Sequence, residues 1–184
     1  MTPELWGQVT SIIGMILIIS SFQFKNKVLF YAAQMSGNVF YAVSFLLLGN
    51  VAGALMNLLG IIRGVVMLQS KQQRKMWQFV ALNVVFLAAT VFSATVGGMG
   101  WAALLSFAAM TVGTVCMWFG NDRAIRWGQL FGVSPLWMLN NTVISFSLGG
   151  ILGECFSMIS TIIYLIRVSG RKSAAQDTKA EDAR

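Results

Sequence analysis

Seven apolar stretches, each about 18 to 23 residues long, fill the chain from Leu5 to Val168. Each is long enough to cross the ~30 Å hydrocarbon core of a bilayer. Lipid offers no partner to a backbone N–H or C=O, so each stretch is expected to satisfy its own as a helix. The predicted spans are Leu5–Phe22, Val28–Leu48, Val51–Leu68, Met76–Val96, Trp101–Phe119, Ala124–Phe146 and Ile151–Val168. Composition points the same way. Of 184 residues, 57% are hydrophobic and 10% charged, with a mean hydropathy of +0.72. A soluble domain carries about 25% charged residues. An ordinary globular domain, a disordered chain and a nucleic-acid binder are all excluded. The fold class is all-α, a polytopic membrane bundle of seven transmembrane helices. One membrane domain covers residues 1–168, and the lipid bilayer is its first partner. Residues 169–184 are polar and of mixed charge, which predicts a disordered cytoplasmic tail.

Charge placement sets the expected orientation. Lys25 and Lys27 fall between spans one and two, Lys71, Arg74 and Lys75 between three and four, and Arg123 and Arg126 after span five. Arg167, Arg171, Lys172, Lys179 and Arg184 lie at or beyond the last span. The alternate connections at Gly49-Asn50, Gly97–Gly100 and Ser147–Gly150 carry no Lys or Arg. The positive-inside rule then predicts the N-terminus outside and the C-terminus in the cytoplasm. It also accounts for the net charge of +7 without a polyanionic partner. The start Met1-Thr2-Pro3-Glu4 has no basic region, so the first stretch is expected to be a span and not a cleaved signal.

Seven helices divide into three, one linker and three. The expected halves are a parallel repeat of residues 5–68 and 101–168, joined by a linker helix over 76–96. Parallel repeats of this plan occur in SWEET-type carriers. A shift of 100 residues aligns Val28–Leu68 with Gly128–Val168, and only Val43, Leu48, Gly49, Gly53 and Ile62 are identical across it. The polar pattern says more. Gln34, Asn38 and Tyr41 share one helical face, and Ser134, Met138 and Asn141 are their equivalents. Gly53, Asn57, Gly60 and Gly64 share another, matched by Gly153, Ser157, Ser160 and Tyr164. Gly49–Gly53 and Gly149–Gly153 each form a G-x-x-x-G pair, so Gly49, Gly53, Gly60, Gly64, Gly149 and Gly153 are predicted helix-packing positions.

Enzyme chemistry is not expected. The chain has no His, which removes a Ser–His pair, an H-E-x-x-H zinc site and a haem-type ligand. Cys116 and Cys155 lie singly inside apolar stretches and are expected to be packing residues. No metal or cofactor is expected. Glu154 is the one acid within a span, and such residues usually face a cavity or a partner. Placed about one turn from the outer end, it shares a face with Ser157 and Thr161. The candidate substrate-binding set is Asn38, Asn57, Trp137, Asn141, Glu154 and Ser157, around a cleft open to the outside. Trp137 enters because the other five Trp lie near span ends, where they serve as interfacial anchors. Arg63 lies roughly 85° around its helix from the face that carries Asn57 and near the cytoplasmic end, which favours snorkelling over a pair with Glu154. Pro135, mid-span, frees a carbonyl and marks a kink.

Phe45-Leu46-Leu47-Leu48-Gly49 through Ile61-Ile62-Arg63, Trp137-x-x-Asn140-Asn141, Gly149-Gly150-x-x-x-Glu154 and Ile166-Arg167 together resemble the YgjV family of bacterial inner-membrane proteins. The likeness runs from the first span to about Lys172. It implies an inner-membrane location and a distant similarity to PQ-loop and SWEET-like carriers. That family often has His where this chain has Asn140, so the resemblance carries no proton relay to that position.

Two functions fit these patterns. The first is a carrier for a small polar solute, neutral or cationic because no cation was placed on the cleft. The second is a non-transporting scaffold or assembly protein whose Asn and Ser residues serve as interhelical glue. Neither specifies an oligomeric state.

Overall fold

The computed structural model describes residues 2–21, 24 and 26–181, without the side chains of Lys27, Asp122 and residues 167–181. It contains seven helical rods and, among the described residues, no strand. They are α1 (Pro3–Ser21), α2 (Lys27–Leu47), α3 (Val51–Leu68), α4 (Met76–Thr95), α5 (Ala103–Phe119, entered through the 3₁₀ turn Gly100–Ala102), α6 and α7 (Leu148–Glu181). Rod α6 covers residues 122–144 in four pieces. Two α segments, Asp122–Gly128 and Ser134–Leu139, alternate with two π segments, Gln129–Val133 and Asn140–Ile144.

Local chemistry explains the boundaries. Asn26, Asn50 and Asn121 cap α2, α3 and α6 by accepting backbone N–H bonds, Asn50 from Gly53 at 2.7 Å and Asn121 from Ala124 at 2.9 Å. Gly49 turns the α2–α3 connection with φ +75°, and Gly98 and Gly100 turn the next hairpin at +68° and +52°. The start of α7 departs from the sequence expectation by three residues. Gly149-Gly150 reads as a turn, yet Ser147 caps these residues and accepts from the Gly150 N–H at 3.2 Å. They form the first helical turn instead. The predicted tail, residues 169–184, falls largely on the extension of α7 to Glu181, and its side chains lie outside the described residues.

Burial is distributed as a lipid-exposed bundle requires. Ser11, Ser44, Ser106, Asn140 and Thr114 are buried, while Val84, Leu87, Val143 and Ile166 are exposed. Water would favour the reverse arrangement; hydrocarbon favours this one. Some buried hydroxyls find partners within their own helices, as in Thr114 to the Met110 carbonyl at 2.7 Å, and others bond a neighbouring helix. Five rods are long and apolar enough to cross a membrane on length and composition alone: α1, α3, α4, α5 with its 3₁₀ turn, and α7 through Ile166. Rod α2 is as long, but Gln34 and Asn38 lower its apolarity. Rod α6 is divided by its π segments.

The uncharged connections gather at one end. Gln8, near the start of α1, bonds the Phe146 carbonyl at 2.6 Å and accepts from Leu148 N–H at 2.8 Å. Ser44, near the end of α2, donates to the Gly7 carbonyl at 2.7 Å. The basic connections gather at the other end. Lys71 donates to the Gly120 carbonyl at 2.8 Å, and Arg74 reaches the Met67 carbonyl at 3.0 Å and the Met117 carbonyl at 3.3 Å. Trp118, expected as an interfacial anchor, is instead packed between Phe79 and the Arg74 guanidinium.

Candidate functional site

A central cavity of about 550 Å³ runs from the middle of the bundle to the last turns of the helices at the basic end. A smaller compartment of about 100 Å³ continues it toward the uncharged end. Asn38, Tyr41, Arg63, Trp137 and Glu154 line both, so the two share one wall.

All six predicted binding residues border this space. Asn57 and Asn141 line the smaller compartment, Ser157 the larger, and Asn38, Trp137 and Glu154 both. The shared-face patterns explain the convergence. Gln34, Asn38 and Tyr41 bring one side of α2 inward, and Gly153, Ser157, Ser160 and Tyr164 one side of α7. Trp137 closes one wall in an aromatic row, stacked 6.0 Å from Phe45, which stacks 6.2 Å from Tyr41.

Polar atoms in the smaller compartment are incompletely matched. Glu154 Oε2 and Asn141 Oδ1 are buried and have no hydrogen-bond partner among the described residues. The Ser134 hydroxyl lies within reach of the Glu154 carboxyl group. A buried polar atom without a partner costs about 1–3 kcal/mol, so such atoms mark where a ligand or water completes the set. Among the described residues, no three His, Cys, Asp or Glu side chains converge.

Three expectations change. Because α7 begins at Leu148, Glu154 stands six residues, or ~9 Å, into the helix, and is deeper than one turn. Arg63 lines both compartments and does not snorkel away. The interior is wide enough there that a side chain roughly 85° from the Asn57 face still borders it, so the cavity carries a cation as well as an acid. The larger compartment also lies toward the basic end, whereas the cleft was expected to open at the uncharged end. Arg126 stands there with its guanidinium 4.2 Å over the Tyr164 ring.

The uncharged end is held by a hydrogen-bonded layer that sequence reasoning missed. Asn50 donates to Asn140 Oδ1 at 3.2 Å and to Ser145 Oγ at 3.0 Å, and Ser106 also donates to Asn140 Oδ1 at 3.2 Å. Tyr41 donates to the Gly149 carbonyl at 3.0 Å, and Ser11 accepts from the Gly149 N–H at 3.1 Å. Only the position of Asn50 before an apolar run signalled anything, and it signalled a helix cap.

Five of the six predicted packing glycines sit close against a neighbour, Gly149 and Gly153 with no room for a side chain and Gly53, Gly60 and Gly64 in tight contact. A Cβ on Gly149 would overlap the Ser11 backbone, one on Gly153 would lie 2.9 Å from Tyr41 Oη, and one on Gly60 3.0 Å from Asn38 Nδ2. On Gly53 it would lie 3.0 Å from Phe45, and on Gly64 3.2 Å from Met35. Gly49 is different. No atom lies within 4 Å of its Cβ position, and it serves the turn through its positive φ. Of the cysteines, Cys116 packs against Gly128, and Cys155 is exposed on the outer face of α7.

A bundle of apolar helices around a cavity that holds an acid, a guanidinium and several amides defines a polytopic membrane protein with a polar interior. The chain belongs to the Imp-YgjV family, described as a bacterial inner membrane protein, whose model matches residues 5–172. No curated protein and no solved structure matches it.

Proposed function

We propose that the protein is a carrier for a small polar solute in the bacterial inner membrane, with both termini placed by the positive-inside rule. The observation that carries this reading is the central cavity, whose smaller compartment holds the unpartnered Glu154 Oε2 and Asn141 Oδ1. A scaffold has no use for buried polar atoms left without partners beside a cavity, since glue residues work by bonding each other. The basic end then faces the cytoplasm. The cavity reaches that end, while the Asn50–Asn140 layer closes the other, as in one state of an alternating-access cycle.

The three-plus-one-plus-three plan has packing support. Rod α1 packs on α7, and α5 packs on α3, which is the exchange that a two-fold relation between the halves requires. The equivalents Asn57 and Ser157 both border the cavity, as do Tyr41 and Asn141.

The test is uptake by purified protein in liposomes across a panel of polar metabolites. Counterflow of at least one solute, abolished by a bulky Asn57→Phe substitution in the cavity, is the expected result. A correctly folded protein that moves no member of the panel would instead favour the scaffold reading.

A further inference from the structure

Arg63 and Glu154 border the same two compartments, from α3 and α7, and nothing else on the cavity wall pairs them. Glu154 Oε2 has no partner among the described residues, nor does Asn141 Oδ1. The Arg63 guanidinium makes no hydrogen bond among the described residues; its Nη1 lies against Gly113 of α5, and the Tyr31 phenol is near it. Both rods start at the uncharged end. Arg63 is therefore 12 residues deep in α3 and Glu154 six in α7, an offset of ~9 Å along the bundle. The cavity thus presents two acceptors toward its closed end and a five-donor fork toward its basic end.

We propose that this pair recognises a small zwitterion, with an ammonium on Glu154 Oε2 and Asn141 Oδ1 and a carboxylate on the Arg63 guanidinium. The inference rests on the carrier reading and narrows its substrate class. Two hydrogen bonds of about 2.9 Å and the short backbone of an amino-acid-like solute match an offset of this size. A solute with one charge leaves the other protein group unmatched in the interior, and a neutral solute leaves both. A zwitterion matches both groups and crosses the bundle with no net charge. The guanidinium suits the carboxylate end because it binds such a group with two parallel N–H bonds.

The test uses four compounds on one skeleton: L-leucine, L-leucinamide, N-acetyl-L-leucine and N-acetyl-L-leucinamide. Equilibrium binding to the purified full-length protein in nanodiscs is measured for each, so no transport step enters. Each charge-assisted contact is worth roughly a factor of ten or more, so L-leucine should bind at least about tenfold tighter than either singly charged analogue. Glu154→Gln should abolish the preference for a free amine and keep the preference for a free carboxylate. Arg63→Gln should do the reverse, with Arg63→Lys restoring part of the loss. The comparison within the wild-type protein stands even if a variant fails to fold. Equal binding of all four compounds, binding of none, or loss of both preferences in either single variant would overturn the inference. Uptake of an uncharged solute in the same preparation would leave the carrier reading intact.

Discussion

Asn50 and Asn140 meet side chain to side chain across 90 residues of sequence, with Asn50 Nδ2 3.2 Å from Asn140 Oδ1. One caps α3 and the other opens the second π segment of α6. Their bond ties the first hairpin to the rod that carries Trp137 and Asn141. Around it, Ser106 and Ser145 complete a buried layer that separates the cavity from the uncharged end.

Asn50→Ala should therefore loosen the closed end more than the rest of the bundle. It deletes the cap on Gly53 and leaves Asn140 Oδ1 with Ser106 alone. The expected cost is about 1–3 kcal/mol, read as a lower melting temperature in detergent. A double-mutant cycle with Asn140→Ala should give a coupling of at least about 0.5 kcal/mol; strict additivity would show that the bond carries no weight.

Two glycines that lie 100 residues apart should respond differently to alanine. Gly149→Ala drives a methyl into the Ser11 backbone, so α1 must move off α7 and folded yield should fall sharply. Gly49→Ala meets open space and pays only for its left-handed backbone, about 1–2 kcal/mol. Comparable losses of folded protein for the two variants would contradict the packing described for α1 and α7.

Rod α6 should be the most labile of the inner rods. Its π segments lack the regular ladder, and Pro135 between them supplies no N–H. Amides of residues 129–133 and 140–144 are expected to exchange hydrogen faster than those of 54–64 in α3. Pro135→Ala should slow that exchange, and a hinge role predicts that it also slows uptake. Unchanged uptake with slowed exchange would leave the kink without a gating part.

Topology is open to cysteine labelling in a background with Cys116 and Cys155 replaced by Ser. Met99→Cys and Phe146→Cys should react with an impermeant reagent added outside, and Lys71→Cys and Arg123→Cys only after permeabilisation. One position reacting on the wrong side would break the seven-span orientation.

Glu154 is the sole carboxyl group on the cavity wall among the described residues, so it is the group through which a proton gradient would act. A proton and the solute ammonium compete for it, so uptake in liposomes should rise when an outward proton gradient, acid inside, is imposed on the wild-type protein. In Glu154→Gln the ratio of uptake with and without the gradient should fall to one. A gradient response that survives the substitution would assign coupling elsewhere.

Much of the architecture was legible because it rests on local quantities. Val51–Leu68 is bounded identically by apolar length and by structure, and the other starts and ends move by only a few residues except the end of α7, which runs on to Glu181, since span length and Asn caps act within one segment. The polar faces were legible too. Spacing of three, four and seven residues puts Asn38 beside Tyr41 and Ser157 beside Glu154 whatever the neighbours do.

Arg63 marks where that legibility ended. Its angle from the Asn57 face follows from one helix alone, but whether it faces lipid or cavity depends on how far α2, α6 and α7 stand from α3. The same holds for Asn50. A helix cap is written in three adjacent residues, whereas its bonds to Asn140 and Ser145 exist only once two distant connections share one end. Gly149-Gly150 carried a turn signal that packing overrode, because the close approach of α1 gives a helical turn without side chains its use. By itself the sequence determined which segments are long apolar helices, which end collects the charges and which faces are polar, because hydrophobic length, charge and periodicity act along one chain. The tertiary structure alone decided which polar atoms find partners and which stay unpartnered beside the cavity, because that depends on distances between helices that no local pattern encodes.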